Sequence, residues 1–528
     1  MTNRAPIRLD SWKEIADYLG RDVRTAIRWE TERGMPVRRV PGQKGHGVFA
    51  LREEIDAWLN SGPPQIADAP TVAVLPFFNA SEPEKEYVSD GISESIINTL
   101  SRTPRVRVMA WSTVRRYRGP EADPCQVGRK LSVGAVLAGR LLRRNSFWQI
   151  SAELVDPGDG AQLWGKQYAR PVLDLQTLPH EISSDILAGL GVQLKTQEKR
   201  RLVPRLASNP QAFDLLLQAR FQINQLNASG FQKALEYLEQ AVQLEPDYAE
   251  AYAEMAHCYM FLGIGYGDLP PKELFAKADW AARKAIEVDD SLGEAHAALA
   301  VASPYRGFDW PYVEKELQRA IELSPGFPNA HVFYGTILSA LGRFDEAIEE
   351  LRWAAELDPL SPLITGDFAF HLAMAGRQDE AEEQIRKTLQ ITPECAAILF
   401  YVRAVIEDCR GLHSQAVETL EQSIPENVSH TIPLGFLGYL YARNLQPDKA
   451  RGVLARLDEL AAQRPVSHFS KAIVYAGLRE IDTALACLER AFEEQTPFLY
   501  FLKTYPWFDS LRGEPRFQAL VCRVGLPD

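Results

Sequence analysis

Small residues recur along the second half of this chain at a nearly constant spacing. Ala234, Ala278, Val313, Ala347, Ala381, Ala416, Ala450 and Ala484 are separated by 44, 35, 34, 34, 35, 34 and 34 residues. A period of this size marks a repeat architecture, in which each unit is a short supersecondary element that buries its apolar face only against its neighbours. Pro325, Pro359 and Pro393 lie 34 residues apart, Pro246 serves the first unit, and Asp290 replaces proline in the second. Proline has no N–H and disfavours helix in the residue before it, so it ends one helix and opens the next hairpin.

Within a unit, Ala347, Leu351, Ala354 and Pro359 stand in the order small, bulky, small, proline, with Tyr334-Gly335 and Leu437-Gly438 at the small position of first helices. This pattern resembles the tetratricopeptide repeat (TPR). Alanine lets the helices of a hairpin approach closely, and Leu351 and Tyr334 fill the gaps. The expectation is an all-α solenoid of eight units over residues 210–500, with departures at Val313, Thr388 and a ten-residue insertion around Gly263 to Pro271. The resemblance implies a concave groove that grips a peptide or helix of another protein. Residues 501–528 are expected to cap the open end through Trp507, Phe508, Leu511, Phe517 and Leu520.

At the other end of the chain, residues 8–60 read as a small helical head. Ser11 can cap a helix carrying Trp12, Ile15, Ala16 and Leu19, and Gly20 can end it. Asp22 opens a second helix in which Val23, Ala26, Ile27 and Trp29 are expected to be buried, while Arg21, Arg24, Thr25 and Arg28 form the other face. Two short strands in Val37 to Ala50 flank a loop bearing Lys44 and His46, and Leu51 to Leu59 is expected to return to helix. Trp12, Trp29 and Trp58 are expected to supply the core.

This order of elements, with Trp29-Glu30 ending the second helix, resembles the winged helix-turn-helix heads of the MerR and excisionase type. The resemblance implies DNA binding, with the second helix in the major groove and the wing on backbone phosphate. It nominates Arg21, Arg24, Thr25 and Arg28 on the helix, and Arg38, Arg39 and Lys44 on the wing. Arginine suits both tasks, since its fork can pair with guanine or with phosphate. Few phosphate contacts mean weak binding by one copy, so a homodimer is the expected form.

Residues 61–70 (SGPPQIADAP) read as a linker. Beyond it, residues 71–196 read as an α/β sandwich-like middle domain. Strands are expected at Val72 to Phe77, Val106 to Trp111, Ala135 to Leu142, Phe147 to Val155 and Gln162 to Tyr168, and helices at Tyr87 to Leu100, Cys125 to Leu131 and Leu175 to Leu194. The runs VAVLPF, YVSDGISESIINTLSR, VGAVLAGRLLR and AELVDPGDGAQLWGKQY resemble the TolB N-terminal type of domain, which implies a sensing or interaction module. In such regulators it precedes helical repeats and follows cyclase, kinase or winged-helix heads. Asp90-Gly91 is expected at a turn or helix start, and Arg105 to Arg107 on an exposed strand face.

Charge divides the chain in the same way. The net charge is −12, yet residues 1–60 carry 11 Lys/Arg against 9 Asp/Glu, so the rest is strongly acidic. That acidic body suits a basic partner segment or a solvated surface. Six cysteines form no C-x-x-C pair, and nine histidines are dispersed, so neither a metal site nor a cofactor is expected. No phosphate loop, zinc-protease, nucleophile-elbow, kinase or cyclase motif is present, so the chain is expected not to be an enzyme. No membrane-length apolar run occurs, which points to the cytoplasm. Together these readings give a multidomain transcriptional regulator that binds DNA by its head and protein partners by its TPR groove. The alternative is a TPR adaptor whose head does not bind DNA.

Overall fold

The computed structural model describes residues 8–19, 23, 35–39, 48–52, 54–55, 69–81, 85–171, 174–202, 207–266, 269–391, 396–424, 431–496 and 498–526. The chain forms two compact units, Met1–Ala69 and Pro70–Asp528.

In the first unit Ser11 starts the helix Trp12–Leu19. Its Oγ accepts from the Glu14 amide at 3.1 Å, and the Glu14 carboxylate accepts from the Asp10 amide at 3.0 Å, so two otherwise orphan amides are satisfied reciprocally. Ile15 and Ala16 are buried with Met35, Val48, Ala50 and Ile55, and Trp12 packs at the margin of this core. Strands β1 (Arg8–Leu9), β2 (Arg38–Arg39) and β3 (Val48–Leu51) form an antiparallel sheet in the order β1-β3-β2. The expected two-stranded wing therefore gains a third strand from the N-terminal segment. Because Arg8 pairs with Leu51, β3 continues to Leu51, where helix was expected. Val23, expected in the core, is 40% exposed. Trp29 and Trp58 lie outside the described residues.

The second unit opens with a mixed sheet: β4 (Thr71–Val74), β5 (Phe78–Asn79), β6 (Arg107–Val108), β7 (Ala135–Arg144), β8 (Phe147–Val155) and β9 (Gln162–Pro171). The order is β6-β4-β7-β8-β9, with β5 also beside β7; β4 runs parallel to β6 and β7, and β7, β8 and β9 form an antiparallel meander. The strand expected through Phe77 is split at Pro76, which has no N–H to give the ladder, and pairing resumes at Phe78. Trp148, Ile150, Ala152 and Leu154 of β8 are buried while the residues between them are exposed, so one sheet face carries the core. The helices Glu86–Ser101 and Leu178–Gly189 belong to this core. The latter stops well before Leu194, just ahead of Gly191, which takes a left-handed conformation (φ 68°).

Eight helical hairpins follow among the described residues, from Pro210–Ile223 with Ala228–Leu244 to His468–Gly477 with Ile481–Glu493. All eight residues of the 34-residue series are fully buried, as helix contact requires. The insertion begins as a π-helical turn, Leu262–Tyr266, that prolongs Ala249–Phe261. A single apolar cluster runs from Val72 of the sheet to Ala302 of the third hairpin. The α/β layer and the first repeats thus share one core.

Candidate functional site

On the head, two of the seven nominated DNA contacts can be placed. Arg38 and Arg39 are both exposed on β2. Arg21, Arg24, Thr25, Arg28 and Lys44 lie outside the described residues. Cross-strand pairing sets Arg38 beside Phe49, and the Arg8 guanidinium sits 3.9 Å from the centre of the Phe49 ring. Arg8 and Arg38 therefore flank one aromatic ring on the outer sheet face, an arrangement that can pair with phosphate and stack on a base. Arg8 was missed because nothing in the sequence announces that the N-terminal segment joins the wing. These cations are also engaged within the unit: Arg38 pairs with Glu54 and Arg8 with Asp10, each at 2.5 Å, and Arg39 lies over Trp12 at 5.9 Å.

In the second unit, the arginines of the α/β layer find partners on the first repeats, on the helix that precedes them and within the layer itself. Arg102 pairs with Glu250 at 3.2 Å, and Arg105 with Glu198 at 3.0 Å. Arg115 donates to the Asn224 carbonyl at 2.8 Å, and Arg118 to Asp90 at 2.7 Å. Asp90 and Gly91 lie within the helix Glu86–Ser101, not at its start as expected. A Cβ on Gly91 would meet Leu217 at 2.6 Å, so glycine is what lets this helix press against the first repeat. Beneath it Arg220 is buried, donating to Glu254 at 2.8 Å and to Ser95 at 3.1 Å.

Burial opposes charge on these carboxyls, and local partners decide the outcome. Desolvation acts to raise Glu254, yet Arg220 and His257 hold it down at about 2. Burial pushes Glu94 up to about 7 against the pull of Arg220, with Glu254 adding repulsion, and burial pushes Asp90 up to about 6 despite Arg118.

A second contact joins the layer to the fourth repeat. The Ala110 amide donates to the Leu357 carbonyl at 3.0 Å, which ends the extended run at Val108 and turns Trp111–Val114 into a helical turn, where strand was expected. Arg107 donates to the Glu356 carbonyl at 2.9 Å and lies over Trp353 at 5.3 Å, so it does not lie on a free strand face. Buried Asp358 accepts from the hydroxyls of Ser112 and, at 2.7 Å, Thr113; Thr113 in turn accepts from the Leu360 amide at 3.1 Å. Glu250 and Glu356 of the repeats thus pair with Arg102 and Arg107 of the α/β layer.

The C-terminal segment packs on the last hairpin and also reaches earlier ones. Aromatic side chains of residues 498–526 pack on the first helices of the fifth, seventh and eighth hairpins. Phe501 packs against His371 (5.8 Å between ring centres), Tyr505 against Phe370 (5.7 Å), Trp507 against Phe436 (4.9 Å) and Phe508 against Phe469 (5.4 Å). At the far end the Trp310 indole donates to the Val524 carbonyl at 2.9 Å. On the fifth, seventh and eighth hairpins the first helices are thus covered by the chain's own aromatic side chains.

Comparison with known proteins agrees with this architecture. Residues 67–169 match the family model described as the second domain of HilA/YgeH-like transcriptional regulators. Residues 228–263, 314–362 and 334–396 match tetratricopeptide repeat models. The chain is a multidomain protein that joins a regulator-type α/β domain to tetratricopeptide repeats. A curated relative from Rhizobium meliloti (strain 1021), "Putative adenylate cyclase 3", is 33% identical over 241 residues, 46% of this chain and 41% of the relative. The chain thus spans about two fifths of that relative's length.

That relative overturns the expectation, drawn from missing motifs, that the chain is not an enzyme: a protein sharing 241 residues with it bears the name of a cyclase. Among solved structures, a thermophilic TPR protein from Thermus thermophilus is 20% identical with a TM-score of 0.32, covering 37% of this chain and 98% of its own. TolB from Acinetobacter baumannii is 16% identical with a TM-score of 0.18, covering 23% and 28%. Among the described residues no helix is long and apolar enough to cross a membrane, and no group of three or more His, Cys, Asp or Glu could hold a metal ion.

Proposed function

We propose that this chain is a cytoplasmic transcriptional regulator that binds DNA as a homodimer through its head, using Arg21, Arg24, Thr25, Arg28, Arg38, Arg39 and Lys44, while its repeats bind protein partners. The observation that carries the reading is the match of residues 67–169 to the second domain of a transcriptional regulator, directly after a head with 11 basic residues. The exposed Arg38 beside Phe49 supports it, with Arg8 as an added contact. The cyclase name of the relative fits the same plan, in which one α/β and repeat body serves different heads. The adaptor reading draws on the Arg38–Glu54 pair, which neutralises one wing cation within the head.

Binding of the full chain to genomic DNA fragments across a salt series separates the two. The regulator reading expects enrichment of a defined site, and a log–log salt slope that falls by about one for each phosphate contact removed, as in Arg39→Ala. Equal, weak retention of all fragments at low salt would favour the adaptor.

A further inference from the structure

The seam between the α/β layer and the first repeat holds a recess of about 180 Å³. Its apolar lining comes from both sides: Val88 of the helix Glu86–Ser101, Trp148 of β8 and Leu175 from the layer, and Phe213 and Leu217 from the repeat helix Pro210–Ile223, all of them buried. Leu217 also presses on Gly91, about one turn along from Val88, so the recess begins where the close contact of the two helices ends. A benzene ring fills an apolar cavity of about 150 Å³, which gives this one room for an aromatic ring with a small substituent.

The polar part of the lining is already ordered. Tyr87 donates its hydroxyl to Asp214 across the seam at 3.0 Å, and Gln218 donates to the other Asp214 oxygen at 2.7 Å. Lys85 borders the same recess, so its charge offsets that of Asp214 and a neutral molecule is favoured. Gln176 lines the recess too, and its Oε1 is buried with no hydrogen-bond partner. A buried acceptor left unpaired costs free energy that a donor placed against it recovers. The neighbouring space that Gln176 also borders measures about 10 Å³, room for one water at most, so a larger molecule can reach this acceptor only from the recess.

We propose that this recess is a binding site for a small neutral aromatic molecule with one O–H or N–H donor, of the phenol or indole class. The ring packs between Trp148 and Phe213, and the donor meets Gln176. Because Trp148 belongs to the layer and Phe213 to the first repeat, the ligand is held by both and binds more tightly when the seam is closed, which makes it a fastener of the layer on the repeats. This goes beyond the DNA-binding reading and does not rest on it.

Titration of the full-length chain with p-cresol and with toluene, followed by calorimetry and by melting temperature, tests the site, because the two compounds differ only in the hydroxyl. Toluene is the more apolar, so a merely apolar crevice prefers it, whereas a donor seated on Gln176 reverses the order. The parent chain is expected to bind p-cresol severalfold more tightly than toluene. Gln176→Leu keeps the bulk of the side chain without its acceptor, and is expected to return the preference to toluene while the affinity for toluene barely changes. Leu175→Phe, which fills the recess, is expected to weaken both compounds severalfold. Three results would each overturn the proposal: p-cresol at millimolar concentration giving neither heat nor a rise in melting temperature, a parent chain that prefers toluene, or p-cresol binding that Gln176→Leu leaves unchanged. None of these readouts involves DNA, so a head that binds no operator leaves the result intact.

Discussion

Glu94 shows how a single side chain can set the pH response of the seam between the α/β layer and the repeats. It accepts from Asn224 at 3.0 Å, with Arg220 and Glu254 as its charged neighbours and Asp90 further along its own helix. Burial, reinforced by Glu254, outweighs Arg220 and raises its pKa from 4.5 to about 7. The folded chain therefore holds this proton more tightly than the unfolded chain. The associated stability is fully present below about pH 4.5 and is lost as pH rises through about 7. Glu94→Gln, which cannot ionise, is expected to match the parent chain near pH 4.5 and to melt about 2–4 °C higher at pH 8. Asp90, raised to about 6, leaves a smaller slope of the same sign in the variant. A parent chain that grows more stable between pH 5 and 8 would show that Arg220 dominates instead.

At the scale of the element, the turns between paired helices carry the clearest strain. Gly342, Gly376 and Gly411 take φ of 79, 79 and 76° there, but the equivalent turn of the seventh hairpin uses Leu445 at φ 57° with 89% of its surface exposed. Leu445 buries nothing that would offset this conformation. Leu445→Gly is therefore expected to stabilise the chain by about 0.5–1 kcal/mol, the left-handed penalty less the extra chain entropy of glycine. An unchanged or lower denaturation midpoint would mean that the turn is held by something other than its own geometry. Such elements were legible because their causes are local and recur. Each alanine of the 34-residue series is dictated by the helix it touches, and Ser11 and Glu14 cap within one turn. The strand expected through Trp111 was misread because the Ala110 amide is claimed by Leu357, a backbone contact between residues 247 apart that no side-chain pattern records. The rings of residues 498–526 likewise announce burial but not the earlier hairpins that they meet.

In the second unit, two of the contacts that hold the α/β layer to the repeats differ in character. Near the first three hairpins it shares a continuous apolar core, from Val72 to Ala302. At the fourth hairpin the contact is polar and concentrated on Asp358, which receives two hydroxyls while only 4% exposed. Shared apolar packing is lost only by large-scale opening, whereas a polar clasp can open by itself. Asp358→Ala leaves Ser112 and Thr113 without their acceptor and is expected to cost about 1–3 kcal/mol locally. Hydrogen exchange is the measurement that resolves the two contacts. Amides of residues 107–116 and 353–361 should exchange faster in the variant, while those of β7, β8 and the helix Pro210–Ile223 keep their protection. Faster exchange spreading through the sheet and the first hairpin would instead make the clasp part of one cooperative structure, so that a signal received by the repeats could reach the α/β layer only by loosening both contacts together.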